Sequence, residues 1–291
     1  MAIDGLQESI RKRKNPMVVD FSVLPEQIPE HIRQGRSEAE TYYQFCRGLL
    51  DGLKELLPAV RFSFGQLALM GGDGLEVLAQ LLDEAKALGY YVIMDSVEIL
   101  APWGAERAAA GYFQANSRFQ CDALVVSPYI GSDAIKPFIP YCLEAGKDIF
   151  MAIRTPNKSA PELQDLLTGS RLVHTAAADL LCRFGDAIIG NCGYSPIGAL
   201  ASGTASNALA SLRAKYPRLF LLVDGYDYPG GNAKNCAAAF DRLGHGAAVC
   251  VGQSVTAAWY ATETDGSDYV QQAIGAVGRI HKNLNRYIKI I

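Results

Sequence analysis

The residues with chemistry to offer sit where short apolar runs end. Asp95 closes the run 90–95 and stands second in the stretch MDSVEILAPWG (94–104), in which Val97, Leu100, Pro102 and Trp103 follow the acid. Arg61 lies inside PAVRF, near the end of its run, and Arg154, Thr155 and Asn157 form a polar loop after 148–153. Two glycine-bearing turns come later, Gly230 and Gly231 in VDGYDYPGGN, and Gly252 with Gln253 in VGQSVTAAW. An acid beside a guanidinium can stabilise separated charge in a transition state. Glycine-rich turns can hold a phosphate on backbone N–H groups. Each residue also has a structural reading. Asp95 and Arg61 could form a salt bridge between strand ends, and Arg154 could fix its own loop. The two glycines could simply make a turn, and Trp103 could fill space or pack at a subunit interface.

The elements that must position these residues alternate along the chain. Eight runs rich in Val, Ile, Leu and Phe occur at 17–21, 59–64, 90–95, 122–126, 148–153, 186–190, 218–223 and 246–251. They are nearly continuous in apolar residues rather than alternating, the pattern of parallel strands buried on both faces. Between them lie amphipathic segments such as 72–89, where Leu75, Leu78, Leu81, Leu82 and Leu88 recur at helical spacing and Glu76, Asp83, Glu84 and Lys86 take the other face. Eight such units predict a TIM (β/α)8 barrel forming a single domain over 1–291, its bottom closed by an extra N-terminal helix at 3–14. A doubly wound open sheet is the alternative, but no GxGxxG follows the first run. In a barrel the site lies at the C-terminal strand ends, on loops beginning at Asp20, Arg61, Asp95, Ser127, Arg154, Asn191, Asp224 and Val251.

Composition narrows the function class. With 27 Lys and Arg against 30 Asp and Glu, the net charge is -3 and no basic stripe is present, so nucleic acid is not an expected partner. Seven cysteines lie at 46, 121, 142, 182, 192, 236 and 250 without the short paired spacing of zinc sites, and are expected as reduced thiols. No metal site is expected. No secretory h-region and no run of about 18 apolar residues occurs, which predicts a soluble cytoplasmic protein with no membrane contact. The four histidines, His174 and His245 among them, are placed for structure rather than catalysis.

Five stretches together resemble the longer bacterial variant of the orotidine 5'-phosphate decarboxylases: NPMVVDFSVLPEQIP, PAVRF, the run ending at Asp95, the pair SPYIGSDAIKPFIPY and RTPNKSAPELQDLL, and FLLVDGYDYPGGNAK through VCVGQSVTAAW. They cover about residues 15 to 260 in the family's order. The resemblance implies removal of the carboxylate of orotidine 5'-monophosphate to give uridine 5'-monophosphate, without metal or cofactor, in a homodimer whose sites lie at the interface. It also implies an alternating array of two lysines and two aspartates, most of it written Asp-x-Lys-x-x-Asp.

On this chain the family's array reads Arg61, Asp95, Val97 and Leu100. Valine neither carries charge nor donates a proton, and Glu98 beside it has the wrong sign. Asp95 and Arg61 remain as the candidates for catalysis. The ribose aspartate falls on Ser22, the threonine of the neighbouring site on Gly104, and the pyrimidine-bonding serine on Pro156. The phosphate region reads Asp224, Pro229, Gly252 and Gln253, without its arginine. Ser22, Arg154, Thr155, Asn157, Gly230, Gly231, Gly252 and Gln253 are the expected ligand-binding residues. The expectation is a binding or regulatory homologue with little or no decarboxylation. A small-molecule ligand fits this picture, and nucleotide binding is not favoured. Residual decarboxylation in pyrimidine biosynthesis, or a barrel enzyme acting on a non-phosphorylated or cationic substrate through Asp95, Glu98, Asp224, Asp227, Arg61 and Arg154, are the alternatives.

Overall fold

The computed structural model describes residues 1–96, 99–262 and 264–291. The replacement at Val97, and Glu98 beside it, therefore lie outside the described residues. Eight parallel strands close into a barrel: β1 (Met17–Asp20), β2 (Ala59–Ser63), β3 (Tyr91–Asp95), β4 (Ala123–Val126), β5 (Asp148–Ala152), β6 (Ser195–Ser202), β7 (Leu219–Asp224) and β8 (Ala247–Val251). Each pairs with its sequence neighbour, and β8 closes onto β1 with Met17 opposite Val249. The expected (β/α)8 barrel is present, with helices between the strands.

Seven of the eight apolar runs are strands within a residue or so of their expected limits, and the sixth is not. Residues 186–190 follow the helix Val173–Gly185 and form a turn, in which Ile188 is buried against the core and the Gly190 N–H donates to the Tyr194 carbonyl at 2.9 Å. The sixth strand is SPIGALAS, and its following loop starts at Gly203 rather than Asn191. Its small residues make room for neighbours. A Cβ on Gly198 would lie 2.7 Å from the Phe150 ring and 2.8 Å from the Phe220 carbonyl oxygen. Its pairing with β7 shifts register between Ser195 and Ala199, where Pro196 supplies no N–H. Branched apolar residues mark the other seven strands, whereas this one is built of small residues for close packing.

The helix Ala2–Arg13 closes the N-terminal end of the barrel. Ile3, Leu6 and Ile10 are fully buried, and Asp4 Oδ1 accepts the Cys192 N–H at 2.8 Å. Gln7 Oε1 accepts the Gly246 N–H at 3.0 Å, and the Ala2 N–H donates to Gly146 O at 2.7 Å, so the helix is tied to the loops entering β5, β6 and β8. The amphipathic segment forms the helix Gly71–Ala87, with Leu78, Leu81 and Leu82 inside. All seven cysteines are free thiols, five of them buried. No helix among the described residues is long and apolar enough to cross a membrane.

Candidate functional site

A cavity of about 560 Å³ opens at the C-terminal end of the barrel. Strand register builds its floor: Asp20, the last residue of β1, lies opposite Arg61 of β2, and Asp95, the last of β3, lies opposite Ser63. Arg61 is 6% exposed and reaches inward. Its Nε and Nη2 both donate to Asp20 Oδ2, the first at 3.1 Å. Nη1 and Nη2 each donate to Asp224 Oδ2 at 3.3 Å, across the mouth at the end of β7. Burial opposes the guanidinium charge most strongly; Asp20, then Asp224 and Asp95, overcome it and hold the group well above its ordinary pKa. The expected partner of Arg61 was Asp95. The described hydrogen bonds of Arg61 go to Asp20 on the neighbouring strand β1 and to Asp224 at the end of β7, with Asp95 adding its charge nearby.

The remaining oxygens of these acids are satisfied locally. Asp20 Oδ1 accepts the Ser22 hydroxyl at 2.8 Å and its N–H at 3.1 Å, and Asp224 Oδ1 accepts the Gly225 N–H at 2.7 Å. Cys250 faces the cavity, but burial raises its thiol far above the ordinary range, more than Arg61 lowers it, so it is no thiolate nucleophile.

Of the expected ligand residues, Ser22, Thr155, Asn157, Gly252 and Gln253 line the cavity with Arg61 and Asp95. Arg154 does not. It is 5% exposed and bonds Asp165 through two nitrogens at 2.9 and 3.0 Å, with Nη1 on the Thr155 carbonyl at 2.6 Å. His174 Nδ1 lies 3.1 Å from the same Asp165, and Gln164 Oε1 accepts the Thr155 N–H at 2.8 Å. Arg154 thus fixes the β5 loop that presents Thr155, Pro156 and Asn157. Gly230 and Gly231 also stand outside the lining and shape the β7 loop: Gly230 has φ of 92°, and a Cβ on Gly231 would lie 2.0 Å from the Gly225 carbonyl oxygen.

Leu100 and Trp103 leave the cavity open. They are 60% and 72% exposed and are absent from its lining, which corrects the expectation that Trp103 fills vacated space. Sequence reasoning passed over Asp20, Tyr226, Tyr228 and Cys250 as site members. Asp20 was recognisable as an acid at a strand end, the signal used for Asp95. The tyrosines and Cys250 carried no such mark.

The lining therefore brings four carboxylates, of Asp20, Asp95, Asp224 and Asp227, around one guanidinium. Asp227 Oδ2 accepts the N–H groups of Gly252 at 2.7 Å and Ser254 at 3.3 Å, and its Oδ1 accepts the Ser254 hydroxyl. Such a site can bind a cation or a hydrogen-bond donor. It offers a phosphate dianion little. No group of three or more His, Cys, Asp or Glu among the described residues is arranged to hold a metal ion.

Comparison with known proteins gives the lineage. No family model matches the chain. An orotidine 5'-phosphate decarboxylase of Rhodopirellula baltica is 31% identical over 234 residues, 77% of this chain and 78% of that one. One of Clostridium kluyveri is 29% identical over 268 residues, 91% of this chain and 90% of that one. Among solved structures, the orotidine 5'-monophosphate decarboxylase of Plasmodium berghei superposes with a TM-score of 0.77 at 12% identity, covering 99% of both chains. The orotidine 5'-monophosphate decarboxylase of Leishmania donovani gives 0.70 at 22% identity, over 97% of this chain and 98% of that one. The structures carry the fold and the sequence relatives carry the descent: the chain belongs to the orotidine 5'-phosphate decarboxylase family.

Proposed function

We propose that this family member has left the decarboxylation of orotidine 5'-monophosphate and serves as a non-catalytic binding or regulatory protein, a homodimer on the family's barrel. The observation that carries the reading is the engagement of Arg61. It is the only cation among the described residues lining the cavity, and both neighbouring carboxylates already hold it. The reaction as the family runs it needs an ammonium to stabilise and protonate the developing carbanion. By the resemblance that position is Val97, and its partner acid is Leu100. Loss of one such group costs a factor of about 10²–10³ in rate, and loss of both leaves little. A fixed guanidinium with a pKa held high is a poor proton donor in their place. Exposed Leu69, Leu100, Trp103 and Tyr129, carried by the segments after β2, β3 and β4, support a second copy covering that flank.

The test is the loss of orotidine 5'-monophosphate absorbance on addition of purified protein. Turnover within about a thousandfold of ordinary enzymes, roughly 1 to 1,000 per second, sinks the proposal. A second reading, an enzyme for a non-phosphorylated or cationic substrate, is favoured by the four carboxylates lining the cavity. Product formation from such substrates, abolished by Asp95→Asn, would decide for it.

A further inference from the structure

The contacts of Asp227 go beyond an acidic lining. Three donors from the β8 loop, the N–H groups of Gly252 and Ser254 and the Ser254 hydroxyl, converge on this one carboxylate. Converging backbone and hydroxyl donors are what a bound anion requires of a protein. In barrels of this kind the loops after the seventh and eighth strands are where phosphate is often held. Here the anion belongs to the chain itself.

The glycines of the β7 loop bring it there. Gly225 and Gly230 take φ of 87° and 92°, conformations a side chain disfavours. Gly231 packs on Gly225, and its N–H donates to the Tyr228 carbonyl at 2.8 Å, closing the β7 loop into a compact turn with Asp227 on the β8 side. Asn232 and Asn235 hold Gly230 O from below at 3.3 and 2.9 Å. A tethered carboxylate competes with a free anion at an effective concentration in about the millimolar range or above, so free phosphate displaces it poorly.

Resting on the reading that the site no longer serves nucleotide decarboxylation, we infer that Asp227 sets the charge of the ligand. By occupying the β8-loop donors it excludes phosphate monoesters and reserves the cavity for an unphosphorylated ligand, neutral or cationic. Asp20, Asp95 and Asp224 act in the same direction, since an entering dianion meets their carboxylates and a guanidinium already paired.

Wild type, Asp227→Asn and Asp227→Gly are compared by isothermal titration with inorganic phosphate, uridine 5'-monophosphate and uridine at constant ionic strength, with folding checked by circular dichroism. The wild type is expected to give no saturable binding of phosphate or uridine 5'-monophosphate. Asp227→Gly frees the three donors and binds uridine 5'-monophosphate at least about tenfold more tightly than wild type, a difference of about 1.4 kcal/mol, without a matching gain for uridine. Asp227→Asn, which keeps an acceptor oxygen but loses the charge, falls between them and carries the test if the glycine variant does not fold. Wild-type binding of uridine 5'-monophosphate as tight as that of uridine overturns the inference. So does a folded variant with no gain for the phosphate ester. Turnover of orotidine 5'-monophosphate by the wild type removes the proposed function as well, whereas an unresponsive variant of a protein without turnover removes this inference alone.

Discussion

The two ends of the barrel are built on the same eight strands and handle polarity in opposite ways. At the N-terminal end, the helix Ala2–Arg13 buries Ile3, Leu6 and Ile10 completely and ties itself to three loops through single hydrogen bonds. The fully buried acid there, Asp148, accepts the Tyr91 hydroxyl at 2.5 Å. At the C-terminal end, four carboxylates and one guanidinium gather around an open cavity. Apolar closure needs no partner beyond the chain itself. A set of charges with one excess sign is stable only where solvent or a ligand can share it, so the cost of specificity is confined to the open end.

Breaking the charge set should have the largest effect. Arg61→Met leaves Asp20 nearly buried without its cation, and is expected to cost about 3–5 kcal/mol in denaturant unfolding. Adding Asp20→Asn should recover part of that loss. If Arg61→Met is as stable as wild type, the mouth is not held by its ion pairs. On the opposite end, Leu6→Ala should cost about 2–5 kcal/mol through the cavity it leaves, with ligand binding at the mouth unchanged. A change in ligand affinity would show the two ends to be coupled.

A smaller effect separates the ends by pH. Complete burial pushes the Asp148 carboxyl well above the ordinary carboxylate range, against the lowering effect of the Tyr91 hydroxyl. The folded protein then keeps a proton that the unfolded chain gives up at about pH 4. Stability contributed by the protonated form is present below that pH and declines as pH rises toward the folded pKa. Unfolding midpoints measured upward from about pH 4 should show this decline in wild type and a flatter profile in Asp148→Asn. Tyr91→Phe should cost about 1–3 kcal/mol by removing the partner of a buried acid. The smallest effect is expected for Trp103→Glu, within about 0.5 kcal/mol in the isolated subunit. That variant should nonetheless lower the mass seen by analytical ultracentrifugation. An unchanged dimer would place the interface elsewhere, and a wild-type monomer would remove it.

Most of the barrel was legible because buried parallel strands demand unbroken apolar runs. The sixth strand escaped because tight packing on Phe150 and Phe220 selects glycine and alanine, which carry no such signal. The site was half legible. Acids and arginines at strand ends mark themselves, so Arg61, Asp95, Ser22 and the 155–157 loop stand out in the sequence as candidates, and all of them line the cavity. The direction in which a long side chain turns is set by neighbours distant in sequence. Arg154 points the way Asp165 draws it, and Gly230 and Gly231 shape the loop that carries Asp227.

By itself the sequence determined the alternation of strand and helix, the plugging helix and the family resemblance, since these depend on local periodicity and on motifs read in order. Only the tertiary structure decided that Arg61 is shared between Asp20 and Asp224, 41 and 163 residues away, and that Asp227 reaches Gly252. Those are consequences of barrel closure, which brings the ends of β1, β2, β7 and β8 to one rim and lets charge choose its partners there.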